Sequence, residues 1–137
     1  MTHTLTEVRD IATRLLADKG IDYVYPSKDN PNRSCLYFTE SGQPSCFVGH
    51  VLDIWREGAD VAMRADARII EDGDGASARQ VIVEACLDVE PSAAEYLTAV
   101  QDWQDIGKPW GKAVLHAEHH LLLHTEYVPG CDDCDGE

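Results

Sequence analysis

The sequence has few basic residues and no long hydrophobic segment. Only 11 of its 137 residues are lysine or arginine, against 25 aspartates and glutamates, which leaves a formal net charge of −14. No apolar run approaches the roughly 18 residues that a helix needs to cross a bilayer. The first residues, MTHTLTEVRD, also lack the charged and apolar regions of a signal peptide. We therefore expect a soluble, cytoplasmic protein that does not engage a membrane.

The acidity is concentrated after residue 40. Residues 1–40 carry six acids and five bases, whereas the remaining 97 residues carry nineteen acids and six bases. Such a surface repels phosphate backbones, which disfavours direct nucleic-acid binding, and it attracts cations or basic proteins, including DNA-binding ones. Solubility alone is the simpler explanation of the excess charge, and the composition leaves both explanations open.

Signatures of catalysis and nucleotide binding are also absent. The chain has no G-x-x-x-x-G-K-S/T, G-x-G-x-x-G, G-x-S-x-G or H-E-x-x-H. It has five cysteines, an odd number, and without an export signal this count predicts reduced thiols rather than a disulfide framework. A binding protein is therefore favoured over an enzyme, although the sequence does not decide the point.

Hydrophobic periodicity and turn residues predict a mostly helical α+β fold, with about four to five helices packed around a small antiparallel β-hairpin. Residues 1–126 are expected to form a single compact domain, followed by an acidic tail with Cys-x-x-Cys at 127–137. The hairpin strands are predicted at 21–25 and 35–39, where β-branched and aromatic residues are separated by a proline-containing loop. Two predicted helices follow capping boxes, one at 5–19 after Thr4–Glu7 and one after Ser92–Glu95. Further helices are predicted after Ser45 and from Pro109 to about His124. Residues 77–87 are predicted as a helix, with a strand as the alternative.

The end of the chain contains the best candidate for a metal site. His120, His124, Cys131 and Cys134 form the pattern H-x3-H-x6-C-x2-C. Two imidazoles and two thiolates are a ligand set that zinc accepts, and four protein ligands would make the site structural, since no position is left for water or substrate. With fewer ligands the site would be hydrolytic. The competing interpretation is a histidine-rich helix edge followed by two free thiols.

A weaker constellation lies in the centre of the sequence. Cys46 and His50 are spaced i, i+4 on a predicted helix, with Cys35 on the preceding strand, and could hold a metal or form a nucleophile and base pair. Cysteine is among the most often buried residue types, so packing in the core is the favoured explanation for Cys46, and also for Cys86.

Two further patterns carry a resemblance. The first pattern, C-x-Y-x-x-x-x-G-x-P-x-C-x-x-G-x-x-L, is matched by Cys35, Tyr37, Gly42, Pro44, Cys46, Gly49 and Leu52. The second pattern lies later in the chain and is matched by Gln104, Asp105, Gly107, Trp110, Gly111 and Ala113. Together they resemble small accessory proteins of actinobacteriophages. The resemblance covers about a third of the chain and implies an origin rather than an activity, and the histidine-rich end with its C-x-x-C lies outside it.

These observations lead to two hypotheses of different classes. The first is a non-enzymatic, phage-type accessory protein that binds a host or phage protein through its acidic surface, with imitation of DNA as one version. The second is a small zinc-binding protein that uses His120, His124, Cys131 and Cys134. The sequence does not identify the partner or the oligomeric state.

Overall fold

The computed structural model describes residues 2–24, 36–39, 41–72 and 77–126, and this part of the chain is all-helical. A buried core of aliphatic and aromatic side chains runs through these helices, and α5 and α6 make the most extensive contact. None of the described helices combines the length and the apolar character needed to cross a membrane. The six helices are α1 (Leu5–Lys19), α2 (Phe47–Trp55), α3 (Ala59–Asp72), α4 (Ala78–Glu84), α5 (Pro91–Asp105) and α6 (Trp110–Glu126).

The predicted β-hairpin is wrong. The described residues contain only isolated bridges, namely His3 with Val89 and Phe38 with Pro44, and no strand or sheet. The carbonyl oxygens of Ile21 and Tyr23 do not face a strand but accept the N–H groups of Gly111 and Trp110 at the start of α6. Because those two carbonyls already have partners, this segment closes the end of a helix instead of pairing with residues 35–39. Tyr25 and Cys35 lie outside the described residues.

Two buried glutamines of α5 hold the starts of two other helices. The Phe47 N–H, at the start of α2, donates to Oε1 of Gln104 at 2.9 Å, and the Ala78 N–H, at the start of α4, donates to Oε1 of Gln101 at 2.8 Å. The first N–H groups of a helix have no partner within the helix, so a side chain from elsewhere must satisfy them when they are buried. Gln101 also donates to the hydroxyl of Tyr37 at 2.9 Å. Helix α5 is thus the element on which α2, α4 and the segment 36–39 are positioned.

Two glycines allow backbones to approach closely. A Cβ at Gly49 in α2 would lie 2.0 Å from the carbonyl oxygen of Tyr37, and one at Gly111 in α6 would lie 2.7 Å from that of Ile21. No larger residue fits at either position without moving the backbone. Both glycines belong to the patterns that carry the resemblance, as do Tyr37 and Gln104, so these residues of the pattern are explained by the fold.

Helix boundaries agree with the sequence in some places and differ in others. Helices are confirmed at 5–19, where Thr4 accepts the Glu7 N–H, and at 78–84, where Ser77 and Gln80 form a complete capping box. The predicted box at Ser92 is wrong, because Pro91 already occupies the first turn and Glu90 is the N-cap. The segment after Gly58, uncertain in the sequence, forms a 14-residue helix.

Candidate functional site

The structure places part of the predicted zinc site on α6. His120 is exposed, and its Nε2 lies 3.3 Å from Oε1 of Glu95 on α5, a carboxylate that also pairs with Arg79. Burial raises the pKa of Glu95, but Arg79 and His120 outweigh this effect and lower it. The described side chains contain no group of three or more histidines, cysteines and acids arranged to hold a metal.

The remaining zinc ligands cannot be placed in the same way. Cys131 and Cys134 lie outside the described residues, and for His124 only the helical backbone is described. The four-ligand site therefore stays a prediction.

His116, one turn before His120 on α6, is used in packing. The ring of His116 stacks on the indole of Trp103 with centroids 4.1 Å apart and an angle of 9° between the rings. Burial lowers the pKa of His116. The neighbouring His120 and His119 lower it further, whereas the charge of Asp102 acts in the opposite direction. A neutral imidazole stacked on an aromatic ring indicates a packing role for this histidine.

The central pair of Cys46 and His50 is a poor candidate for catalysis. Cys46 is fully buried, and Nδ1 of His50 lies 2.8 Å from the carbonyl oxygen of Cys46 rather than meeting its thiol. The ring of His50 also contacts Trp110 edge-on, with centroids 5.6 Å apart. The expectation that Cys46 packs in the core is confirmed. The same expectation for Cys86 is wrong, since this residue is exposed in the turn after α4 with a φ of 56°.

A buried carboxylate, which the sequence analysis missed, anchors the segment 36–39. Asp66 of α3 is only 6% exposed, and its two oxygens accept the N–H groups of Tyr37 and Phe38, each at 2.9 Å. Burial raises the pKa of Asp66 to about 6, against the opposing effect of these two donors. Both oxygens point at the backbone, so we assign Asp66 to the fold and not to a reaction.

A second polar cluster lies where the N-terminal segment meets the end of α2. His3 places Nδ1 3.0 Å from Oε2 of Glu7 and Nε2 2.6 Å from Oε1 of Glu57, and its ring stacks on Trp55. No sequence signal showed this cluster, because Glu57 is 54 residues away in the chain. The only local hint was Glu7, four residues after His3.

An open groove of about 720 Å³ lies between α1 and α6 near the start of α5. Its apolar part includes Leu115 and Leu122 on α6, which are 69% and 55% exposed. Its charged part is balanced, because Arg9 of α1 forms a two-pronged hydrogen-bonded pair with Glu118 of α6. The groove is therefore close to neutral, in contrast with the chain as a whole.

The carboxylates form most of the charged surface. Asp66 is the only buried one among those whose side chains are described. Exposed carboxylates without an ion pair in the described part of the chain include Asp10, Asp18, Asp22 and Asp53. Helix α1 carries as many lysines and arginines as acids, whereas α2 carries Asp53 and no lysine or arginine, so the excess negative charge lies outside α1.

No family model matches the chain, and no curated protein or solved structure matches it either. The resemblance to phage accessory proteins stays a prediction.

Proposed function

We propose that the protein is a non-enzymatic binding protein that captures a basic, DNA-binding protein of host or phage. The observation that carries this proposal is the exposure of its carboxylates, since among those whose side chains are described all but Asp66 are at or near the surface. An excess of unpaired surface carboxylates produces a long-range negative potential that attracts positively charged partners and speeds their encounter.

The use of the patterned residues supports a binding role over an enzymatic one. Tyr37, Gly49 and Gln104 make contacts that position the helices. The side chain of Cys46 is buried in the core. A nucleophile needs access to substrate and a base within hydrogen-bond reach. The central cysteine has neither, so the side chains most available to other molecules are carboxylates.

The resemblance supplies the setting of this proposal. An accessory protein of a phage works inside the bacterial cell that the phage infects, and the proposed location is the host cytoplasm. One version of the proposal has the carboxylates imitating the phosphates of DNA, so that the protein occupies the DNA-binding surface of its partner. In that version duplex DNA competes for the partner, whereas a partner that binds through another basic surface is not displaced.

The proposal is tested by capture of basic proteins from a bacterial lysate with charge-altered variants. Asp10, Asp18, Asp22 and Asp53 are replaced together by asparagine, which removes four negative charges from exposed positions. The matched control replaces the same four residues with glutamate, which keeps the charge. Mass spectrometry identifies the proteins eluted by salt.

We expect the wild type and the glutamate variant to recover the same basic proteins, and the asparagine variant to recover much less of them. Added salt screens the attraction between surface charges. The captured proteins should therefore elute as the salt concentration rises. Equal recovery by the asparagine variant, at the same salt concentration, would contradict the proposal.

A further inference from the structure

Three separate parts of the chain meet at His3. The ring lies against the indole of Trp55 at the end of α2, with centroids 3.9 Å apart and an angle of 12° between the rings. Its two nitrogens face two different carboxylates, Glu7 of α1 at 3.0 Å and Glu57 of the turn before α3 at 2.6 Å. One side chain thus joins α1 to the junction of α2 and α3.

The backbone at His3 joins a third element. The His3 N–H donates to the carbonyl oxygen of Asp88, and the Glu90 N–H donates to the carbonyl oxygen of His3, both at 2.8 Å. Thr2 adds a hydrogen bond from its hydroxyl to the Asp88 carboxylate at 2.9 Å. These contacts hold residues 2–4 against the segment that precedes α5, and an isolated bridge of this kind has no neighbouring ladder to support it.

The number of donors on the ring depends on its protonation. A neutral imidazole has one N–H, whereas the imidazolium has two. Only the imidazolium can donate to Glu7 and Glu57 at once, so loss of the proton leaves one half-buried carboxylate facing a lone pair. The geometry of the two nitrogens therefore requires the charged form.

The charged groups around the ring favour the same form. Glu7 faces it from α1 and Glu57 from the α2–α3 turn, while Asp88 and Glu90 lie on the segment before α5. Within the described residues no lysine or arginine forms an ion pair with any of these four carboxylates. Burial lowers the pKa of His3, but the hydrogen bonds and charges of Glu57 and Glu7 outweigh this effect and raise it above its ordinary value of 6.5.

We propose that His3 is a pH-responsive latch, closed when the imidazole is protonated, that fastens the N-terminal segment to the α2–α3 junction and to the segment before α5. A histidine whose pKa is raised on folding contributes stability below its unfolded pKa, and the contribution is lost as the pH rises through the folded pKa. Opening would release residues 2–4 from residues 88–90 and uncover the face of Trp55. The latch does not depend on the proposed binding function.

The latch is tested by two nuclear magnetic resonance measurements on the full-length protein. The first follows the ring protons of His3 from about pH 5 to pH 9 and gives the midpoint of its titration. The second measures hydrogen exchange of the Glu90 amide, whose hydrogen bond to His3 breaks when the latch opens, corrected for the intrinsic effect of pH on exchange. The amide of Val100, in the buried middle of α5, is the internal reference.

Glu57→Gln is the informative variant, because it removes one carboxylate from the latch and keeps the size of the side chain. Asp53→Asn is its matched control, since Asp53 is an exposed acid near the same end of α2 without an ion pair. His3→Gln removes the titrating ring.

In the wild type we expect the protection of the Glu90 amide to fall severalfold as His3 loses its proton, because the hydrogen bond to the His3 carbonyl is then broken more often. The Val100 amide should not follow this change. Glu57→Gln should lower the midpoint of His3 and shift the loss of protection to the same lower pH, while Asp53→Asn leaves both close to wild type. In His3→Gln the protection of Glu90 should be low and independent of pH.

Two results would overturn the proposal. One is a wild-type Glu90 amide whose protection does not change across the titration of His3. The other is a titration midpoint of His3 that is the same in Glu57→Gln as in Asp53→Asn. That result would mean that Glu57 does not hold the proton on the ring.

Discussion

Replacing Gly49 with alanine should destabilise the protein, although alanine is the better helix former. The new Cβ would lie 2.0 Å from the carbonyl oxygen of Tyr37 and 2.9 Å from its carbonyl carbon, closer than the 3.0 Å below which real Cβ contacts essentially never fall. Helix α2 or the segment 36–39 would have to move by about 1 Å in a core that is packed at crystal density. Tyr37 cannot simply rotate away, because the clash is with its backbone and its N–H is held by Asp66.

The size of the effect follows from two opposing contributions. Overpacking a core costs about 1–3 kcal/mol, and a clash with backbone belongs near the upper end of that range. Alanine in a helix gains about 1 kcal/mol over glycine. We therefore expect Gly49→Ala to lose about 2 kcal/mol of unfolding free energy, and its Tm to fall by roughly 8 °C if 1 kcal/mol corresponds to about 4 °C.

The assay is urea and thermal unfolding followed by circular dichroism. Asp53→Ala, at an exposed position of the same helix, is the control and should change the unfolding free energy by no more than about 0.5 kcal/mol. A folded Gly49→Ala protein as stable as the wild type would refute the argument that the glycine pattern serves close packing.

Three further predictions follow from single sites. Burial raises the pKa of Asp66 to about 6. The folded state therefore binds the carboxyl proton of Asp66 more tightly than the unfolded state does. Relative to Asp66→Asn, the wild type should lose up to about 3 kcal/mol of unfolding free energy as the pH rises from about 4 to 6.5, and parallel pH profiles in urea unfolding would contradict this. In alkylation mapped by mass spectrometry, Cys86 should react quickly and Cys46 only when the protein unfolds, and equal rates in native protein would show that Cys46 is accessible. If zinc is bound at the end of the chain, metal analysis should find one equivalent that is lost in a Cys131→Ser, Cys134→Ser double variant, while a folded wild type free of zinc would exclude the site.

The helices were predictable where local signals suffice. Helix α1 shows apolar residues at helical spacing after Thr4, and α4 follows Ser77 with Gln80 at the position of a capping box. The 77–87 segment also fitted a strand, but length favoured the helix, and the structure agrees. These signals lie within one or two turns of each other, so no tertiary information was needed.

The hairpin failed because distant residues decide the structure there. Ile21 and Tyr37 lie in segments with strand-like composition, and composition does not show which groups take the backbone hydrogen bonds. In the structure the carbonyl oxygen of Ile21 accepts the N–H of Gly111, which lies 90 residues later in the chain. The N–H of Tyr37 donates to the carboxylate of Asp66, which lies 29 residues later. These groups are therefore not available for a β-ladder between the two segments, and Phe38 instead forms an isolated bridge with Pro44.

The candidate sites show the same limit. The i, i+4 spacing of Cys46 and His50 was correct for a helix but did not reveal that the thiol is buried and that the imidazole meets a carbonyl oxygen. The cluster at His3 was missed because its partners Trp55 and Glu57 lie more than fifty residues away in sequence. Spacing predicts residues on one face of one helix, whereas a site made by several elements requires the fold.

The central claim is that the acidic surface binds a basic partner, and the most direct measurement is the affinity for the basic protein recovered in the capture experiment at about 50 mM and about 200 mM salt. Binding through surface charge should weaken strongly over this range, because the Debye length shrinks as salt is added. The variant with asparagine at positions 10, 18, 22 and 53 should bind more weakly at about 50 mM salt and change less with salt. The same affinity at both concentrations, and in both proteins, would contradict the account.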